Sequence, residues 1–236
     1  MLYKMKNFSL NNAMLSIILH QRNELLSTFQ KKVRKLFGRF FFTNLFIYFG
    51  YSKEKIEQKY FNICKSEFLS IKKYLPRKLN YTLSIGCGMG GIEFFLSSAK
   101  GFTKLDLVDR NFISKKVVYG FNISNSEAYN DLDCTRDFLL LNKFPKQKFK
   151  VYDFDQDKLP VNKYALIVSL KSLDFHYPFS IYKDYIKKVS NLRTVLILDT
   201  NRPDYFRGIY KKVIIIKKVI NDIHPYCRIY CQGIII

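Results

Sequence analysis

The apolar positions divide the chain into three stretches with different periods. In the first, Met14, Ile18, Leu25, Phe29, Val33 and Leu36 recur at steps of three and four, the spacing of one face of a helix. Lys31, Lys32, Arg34 and Lys35 fall between them, and aromatic clusters follow at 40–42 and 45–49. This reads as a helix and a greasy patch docked on a main domain. The sharper alternatives are a basic amphipathic membrane-surface element or a lid over a site. The second stretch, 53–76, keeps the helical step through Ile56, Tyr60, Ile63, Phe68 and Ile71 until Pro76 stops it. Ser52 is the expected N-cap, with Glu54 and Glu57 well placed in the first turn.

From residue 80 the pattern becomes alternating strand and helix. Strands are predicted at 81–85, 104–108, 148–152, 164–170 and 194–198, with helices at 90–98, 127–141 and 181–189. Such alternation predicts a parallel sheet covered on both faces. The last two strands, 213–220 and 228–232, are joined by a short turn containing Pro225, too short for a parallel crossover, so they must be antiparallel. The expected fold is therefore α/β: a Rossmann-like, mostly parallel sheet closed by a C-terminal antiparallel hairpin. An N-terminal helical extension or lid (1–77) precedes the main domain (78–236).

Composition narrows the class. At 236 residues and 48% hydrophobic residues the chain is an ordinary globular protein, and no apolar run approaches the roughly 20 residues of a membrane span. The run 14–19 is short and flanked by Asn12 and His20, which argues against a secretory signal. Five dispersed cysteines with no CxxC pair suggest neither a disulfide framework nor a zinc site, and a reducing cytoplasm is the expected compartment. The net charge of +21 would suit a polyanionic partner. Yet lysines outnumber arginines three to one, whereas bidentate nucleic-acid contacts favour Arg. The charge reads better as a solvated basic surface.

The strongest chemical signal is the run from Leu83 to Glu93, in which a hydrophobic strand enters three alternating glycines and then a helix. Gly86 can make the tight turn, Gly88 leaves room for a ligand against the backbone, and Gly90 lets the helix approach. The next strand ends in Asp109, about twenty residues on, where a carboxylate can bind a ribose. A nucleoside cofactor is expected. Gly86, Gly88 and Gly91 also satisfy the dinucleotide spacing, so NAD competes. Only about 145 residues follow the loop, little for a second substrate domain, and the antiparallel hairpin is foreign to the usual dinucleotide fold.

Over roughly 80–232 the sequence resembles the class I S-adenosylmethionine-dependent methyltransferases. The resemblance rests on Gly86, Gly88 and Gly90, on Asp109, on the acidic segment before Leu159-Pro160, and on the strand at 164–170. It implies a seven-stranded sheet with the last pair antiparallel. It also implies that the glycine loop cradles the amino-acid end of S-adenosylmethionine and that Asp109 holds the ribose. Asp153 or Asp155 would accept from the adenine amino group, with Phe154 beside the ring and Ser169 completing the cofactor set. Tyr164-Ala165 departs from the aromatic-Asp pair that opens the fourth strand in many members. A narrower resemblance, to bacterial sugar O-methyltransferases, rests on 169–178 with Tyr119-Gly120-Phe121 and Ala128-Tyr129-Asn130.

Beyond the fourth strand, His176 is the candidate general base for a hydroxyl acceptor. Asp174, Asp199 and Asn201 are a looser candidate for magnesium, and no metal is assigned. The expected activity is O-methylation of a small-molecule or saccharide hydroxyl. The alternatives are an RNA methyltransferase and a catalytically inactive cofactor-binding scaffold. Peripheral membrane contact is compatible with the sequence, which does not determine the oligomeric state.

Overall fold

The computed structural model describes residues 7–49, 52–114, 128–220 and 225–235. Seven strands form one sheet: β1 (Tyr81–Ile85), β2 (Lys104–Asp109), β3 (Phe149–Asp153), β4 (Leu166–Ser169), β5 (Val195–Thr200), β6 (Tyr210–Val219) and β7 (Tyr226–Ile234). Their spatial order is β3-β2-β1-β4-β5-β7-β6. β1 to β5 are mutually parallel, and β7 runs antiparallel to both β5 and β6. This is the Rossmann-like sheet with an antiparallel closing hairpin that the alternation and the short last turn predict. The strand order reverses direction between β1 and β4, which opens a crevice beyond their carboxyl ends.

Alternate residues of the central strands face opposite layers. Leu166 and Val168 point into one core and Ile167 into the other; Val195 and Ile197 oppose Leu196 and Leu198 in the same way. Both faces are apolar because helices cover both. On one side lies α7 (Ser180–Val189), bringing Tyr182, Ile186 and Val189, with a 3-10 turn at Pro203–Gly208. On the other lie α5 (Gly91–Leu96), α6 (Leu132–Leu141) and the long α4 (Lys53–Ile71). Phe8 fills the junction of this layer, with its ring 5.0–5.9 Å from those of Tyr60, Phe61, Phe94, Phe95 and Phe138.

The N-terminal region differs from the expected helix and patch. It folds as three short helices, α1 (Asn12–Gln21), α2 (Thr28–Phe37) and α3 (Arg39–Tyr48). Ser27 interrupts the long periodic pattern by capping α2 in a capping box with Gln30. Gly38, at φ +81°, separates α2 from α3. Ser52 caps α4 as expected, accepting from the Lys55 N–H. The helix expected over 127–141 starts only at Leu132, where the Asp131 carboxylate accepts from the N–H groups of Asp133 and Cys134. The residues before it are extended: Tyr129 bridges Ile113, and Asn130 N–H donates to Phe112 C=O. Residue 127 and the 119–121 segment lie outside the described residues.

One buried charge has a measurable consequence. Glu93, only 2% exposed on α5, accepts from the Ser84 hydroxyl through Oε1. Its Oε2 has no hydrogen-bond partner among the described residues. Burial pushes its carboxyl from 4.5 up to about 7. The folded state thus holds a proton that the unfolded chain has released, so stability falls as pH rises from about 4.5 to about 7. Glu93→Gln is expected to flatten that dependence. In thermal melts it should exceed the parent at pH 8 by up to about 3 kcal/mol and converge with it near pH 5.

Candidate functional site

The crevice between β1 and β4 brings the glycine loop against the loop that follows β4. Gly86 N–H donates to Val108 C=O at 2.8 Å, tying the end of β1 to β2. Gly86, Gly88 and Gly90 take φ of +65°, +52° and +77°, the left-handed region that side chains resist. At Gly86 the demand is also steric, since a Cβ would lie 1.6 Å from Ser172 Oγ. At Gly88 a Cβ would lie 2.9 Å from Gln21 Oε1, which α1 brings over the loop.

Asp109, at the end of β2, is buried at the centre of this unit. Its Oδ2 accepts from Gly88 N–H (2.8 Å) and from Asn130 Nδ2 (3.2 Å), and its Oδ1 accepts from Arg110 N–H (2.8 Å). Among the described residues, three of its roughly four lone-pair positions are occupied, leaving one on Oδ1. Burial raises its carboxyl to about 6, although these three hydrogen bonds favour the ionised form. Asn130 Nδ2 and the Thr135 hydroxyl also donate to Gly88 C=O, at 3.1 and 2.8 Å. Gln21 Nε2 donates to Tyr129 C=O (2.8 Å) and Asn130 Oδ1 (3.0 Å), completing a network that runs from the N-terminal helices to the loop.

The residues expected for adenine behave differently from one another. Phe154 N–H donates to Asp109 C=O at 2.9 Å, and its ring lies 4.5 Å from Tyr182 and 5.7 Å from the Arg110 guanidinium. Asp153 Oδ1 accepts from Asp155 N–H at 3.0 Å, so this carboxylate shapes the turn. Asp155 is exposed and pairs with Arg110 Nε at 3.2 Å. Ser169 is buried, and its hydroxyl accepts from Leu173 N–H at 2.9 Å, bracing the loop from beneath. The hydroxyl that reaches the glycine loop is that of Ser172.

The loop after β4 is held in an uncommon shape, with Lys171 and Asp174 at φ +54° and +61°. Asp174, 4% exposed, fixes it by accepting from Thr200 Oγ1, Arg202 Nε and Phe179 N–H. Tyr177 is half-buried with its hydroxyl on Ser172; burial, then the nearby Asp109 charge, keeps that hydroxyl protonated. His176 is exposed on the same loop, its N–H donating to Ser172 C=O at 2.7 Å and its ring edge-on to Phe175 at 4.9 Å. Asp174 is paired with Arg202 and Asp199 with Arg228, so each carboxylate already has its own cation. Among the described residues no group of three His, Cys, Asp or Glu could hold a metal ion.

A cleft of about 540 Å³ opens beside this loop, between α4 and the start of β7. Gln58, Asn62, Glu24, Lys171, Tyr226 and Arg228 contribute to its walls. Burial works against the Glu24 charge, but Arg22 and Lys171 outweigh it and hold the carboxyl at about 2. The Phe175 ring meets Tyr226 at 5.6 Å, which joins the wall of the cleft to the His176 loop.

Two residues of the network escape sequence reading. Gln21 lies 67 positions before Gly88 on an ordinary helix, and no local pattern marks it. Asn130 carries one usable signal: it stands directly before a capping aspartate, in an extended segment that delivers it to the end of β2.

No family model matches the chain, and no curated protein matches it. Solved structures are similar. A SAM-dependent methyltransferase from Aquifex aeolicus is 12% identical, covering 71% of this chain and 89% of its own, with a TM-score of 0.47. A precorrin-6y C5,15-methyltransferase from Geobacter metallireducens is 13% identical over 78% and 90%, with a TM-score of 0.46. A tRNA methyltransferase from B. subtilis is 9% identical over 70% and 64%, with a TM-score of 0.47. Each is a likeness of fold.

Proposed function

We propose that this chain is an S-adenosylmethionine-dependent methyltransferase whose acceptor is a hydroxyl of a small molecule or saccharide. The observation that carries this reading is the junction at the sheet's switch point. There three left-handed glycines, the Asp109 carboxylate and the Ser172 hydroxyl form one connected unit.

The residues present fit the cofactor. Its amino-acid end needs backbone and small polar groups at close range, which Gly86, Gly88, Ser172 and Gln21 supply. A ribose hydroxyl needs a carboxylate acceptor, and Asp109 Oδ1 keeps one place for it. An adenine ring needs a flat apolar face, for which Phe154 beside Tyr182 is suited. Asp155, exposed at the rim, is our choice over Asp153 for the adenine amino group. We assign Ser172, which meets Gly86, to the cofactor set in place of Ser169.

When bound, S-adenosylmethionine supplies an electrophilic methyl group. The protein's part is to seat the acceptor and take up its proton. We assign acceptor binding to the cleft beside Lys171, whose volume lies in the range of small-ligand sites. His176, on the adjoining loop, is assigned as general base. His176→Gln is expected to lower turnover about 100-fold while leaving S-adenosylhomocysteine affinity unchanged; a fall of less than about tenfold would remove His176 from the mechanism.

Calorimetric titration with S-adenosylhomocysteine, with NADH as control, tests the central claim. Micromolar binding of the former alone supports it. Binding of NADH alone would make the loop a dinucleotide site, and binding of neither would favour the scaffold reading.

A further inference from the structure

The α2–α3 hairpin buries its two arginines and leaves one apolar face exposed. Its arginines point inward: Arg34 and Arg39 are only 6% and 8% exposed. Arg34 Nη1 donates to Leu19 C=O at 3.1 Å, and the Arg39 guanidinium lies 4.7 Å from the Tyr129 ring. Phe42 is buried, and Val33, Phe46 and Ile47 pack against the core, but other large apolar side chains point outward. Leu36 and Phe37 on α2 are exposed, as are Phe41, Leu45 and Tyr48 on α3. On α3 these three are spaced four and three residues apart, a continuous helical stripe facing water. The two helices share one patch, since the rings of Phe37 and Phe41 lie 6.0 Å apart.

Charge says what fits this surface. No acidic residue occurs between Glu24 and Glu54, whereas Lys31, Lys32 and Lys35 stand exposed beside the patch on α2. A second copy of the chain would bring the same cations against these and be repelled. A nucleic-acid duplex would satisfy the lysines but leave the rings in contact with phosphate, and a single strand, whose bases could stack on the rings, would leave Leu36 and Leu45 without an apolar partner. An anionic bilayer surface satisfies both: acyl chains take the rings, and acidic headgroups take the lysines. Among the described residues no helix is long and apolar enough to cross a membrane, so the hairpin would lie in the plane of the interface.

We propose that the α2–α3 hairpin docks this protein on membranes rich in anionic lipid, inserting Leu36, Phe37, Phe41, Leu45 and Tyr48 while Lys31, Lys32 and Lys35 contact the headgroups. This docking is independent of the methyl-transfer reading.

The chain contains no Trp, so Tyr48→Trp in the full chain supplies a single reporter in the patch. It is mixed with vesicles of phosphatidylcholine alone, or of phosphatidylcholine containing about 30 mol% phosphatidylglycerol. The expected result is a blue-shifted emission and co-sedimentation with the phosphatidylglycerol vesicles, at least about tenfold weaker on phosphatidylcholine alone. In that background, Leu36→Ser/Phe37→Ser/Phe41→Ser should lower partitioning about tenfold or more, with melting temperature and S-adenosylhomocysteine binding, where present, unchanged. Three results would overturn the proposal. One is no blue shift with phosphatidylglycerol vesicles. Another is sedimentation that the serine substitutions leave intact, which would reflect only the overall +21 charge. The third is a solution dimer, seen by analytical ultracentrifugation, that the serine substitutions dissolve.

Discussion

Asp109→Ala is expected to weaken S-adenosylhomocysteine binding by at least about 100-fold, because it removes a charged acceptor and loosens the loop at the same time. The carboxylate accepts from Gly88 N–H, Arg110 N–H and Asn130 Nδ2, so its loss leaves three donors near the glycines without their partner. Calorimetry measures the change, and an affinity within about threefold of the parent would exclude Asp109 from the site. The same group predicts a pH dependence. Its carboxyl, raised by burial to about 6, accepts from a ribose hydroxyl more strongly when ionised. Affinity should therefore fall as pH drops through about 6, by up to roughly tenfold per unit below it, and level off above pH 7. Asp109→Ala should abolish that dependence. The raised value has the opposite effect on stability: the folded protein holds this proton more tightly than the unfolded chain, so stability falls as pH rises from 3.8 to about 6 and is level above that.

Arg228→Met is expected to destabilise the fold by about 3–5 kcal/mol, the usual consequence of leaving one charge of a buried pair alone. Arg228 and Asp199 are 2% and 0% exposed, and the guanidinium grips the carboxylate with two bonds, Nε to Oδ1 at 2.7 Å and Nη2 to Oδ2 at 2.8 Å. Burial opposes the arginine's charge, but Asp199 overcomes it and keeps the guanidinium protonated. Arg228 Nη1 also donates to Ser70 Oγ on α4 at 2.7 Å, so the loss reaches the helix that covers this end of the sheet. Asp199 in turn accepts from Lys171 N–H at 3.1 Å, which ties the pair to the loop carrying Ser172 and His176. Urea denaturation measures the effect. The double variant Asp199→Leu/Arg228→Met should regain much of the loss, because no charge is then stranded. Equal destabilisation by the single and double variants would mean that packing, not the unpaired charge, sets the cost.

Local rules determined much of this protein from sequence alone. Alternating apolar runs fixed the strands of the parallel sheet, because a strand buried on both faces must be apolar throughout. The shortness of the turn around Pro225 fixed the antiparallel direction of the last two strands, because so few residues cannot cross the sheet. The glycine loop was legible because left-handed backbone is open to Gly, and Asp109 because it ends the neighbouring strand. Only the tertiary structure decided which side chains meet. Ser172 rather than Ser169 faces Gly86, since the strained turn from Lys171 to Asp174 reverses the chain there. Gln21 and Asn130 join the site through contacts 67 and 21 residues from Gly88 and Asp109, a distance across which no periodicity carries information. Asp174 and Asp199, alike as loop carboxylates in sequence, acquired separate arginine partners, Asp174 from the segment after β5 and Asp199 from β7. The apolar spacing over α2 announced a helix, the segment of α3 read only as an aromatic patch, and neither pattern told which face is buried. That choice depends on Leu19 C=O, Asn23 and Tyr129 being in place to receive two arginines, which turns the aromatic rings outward.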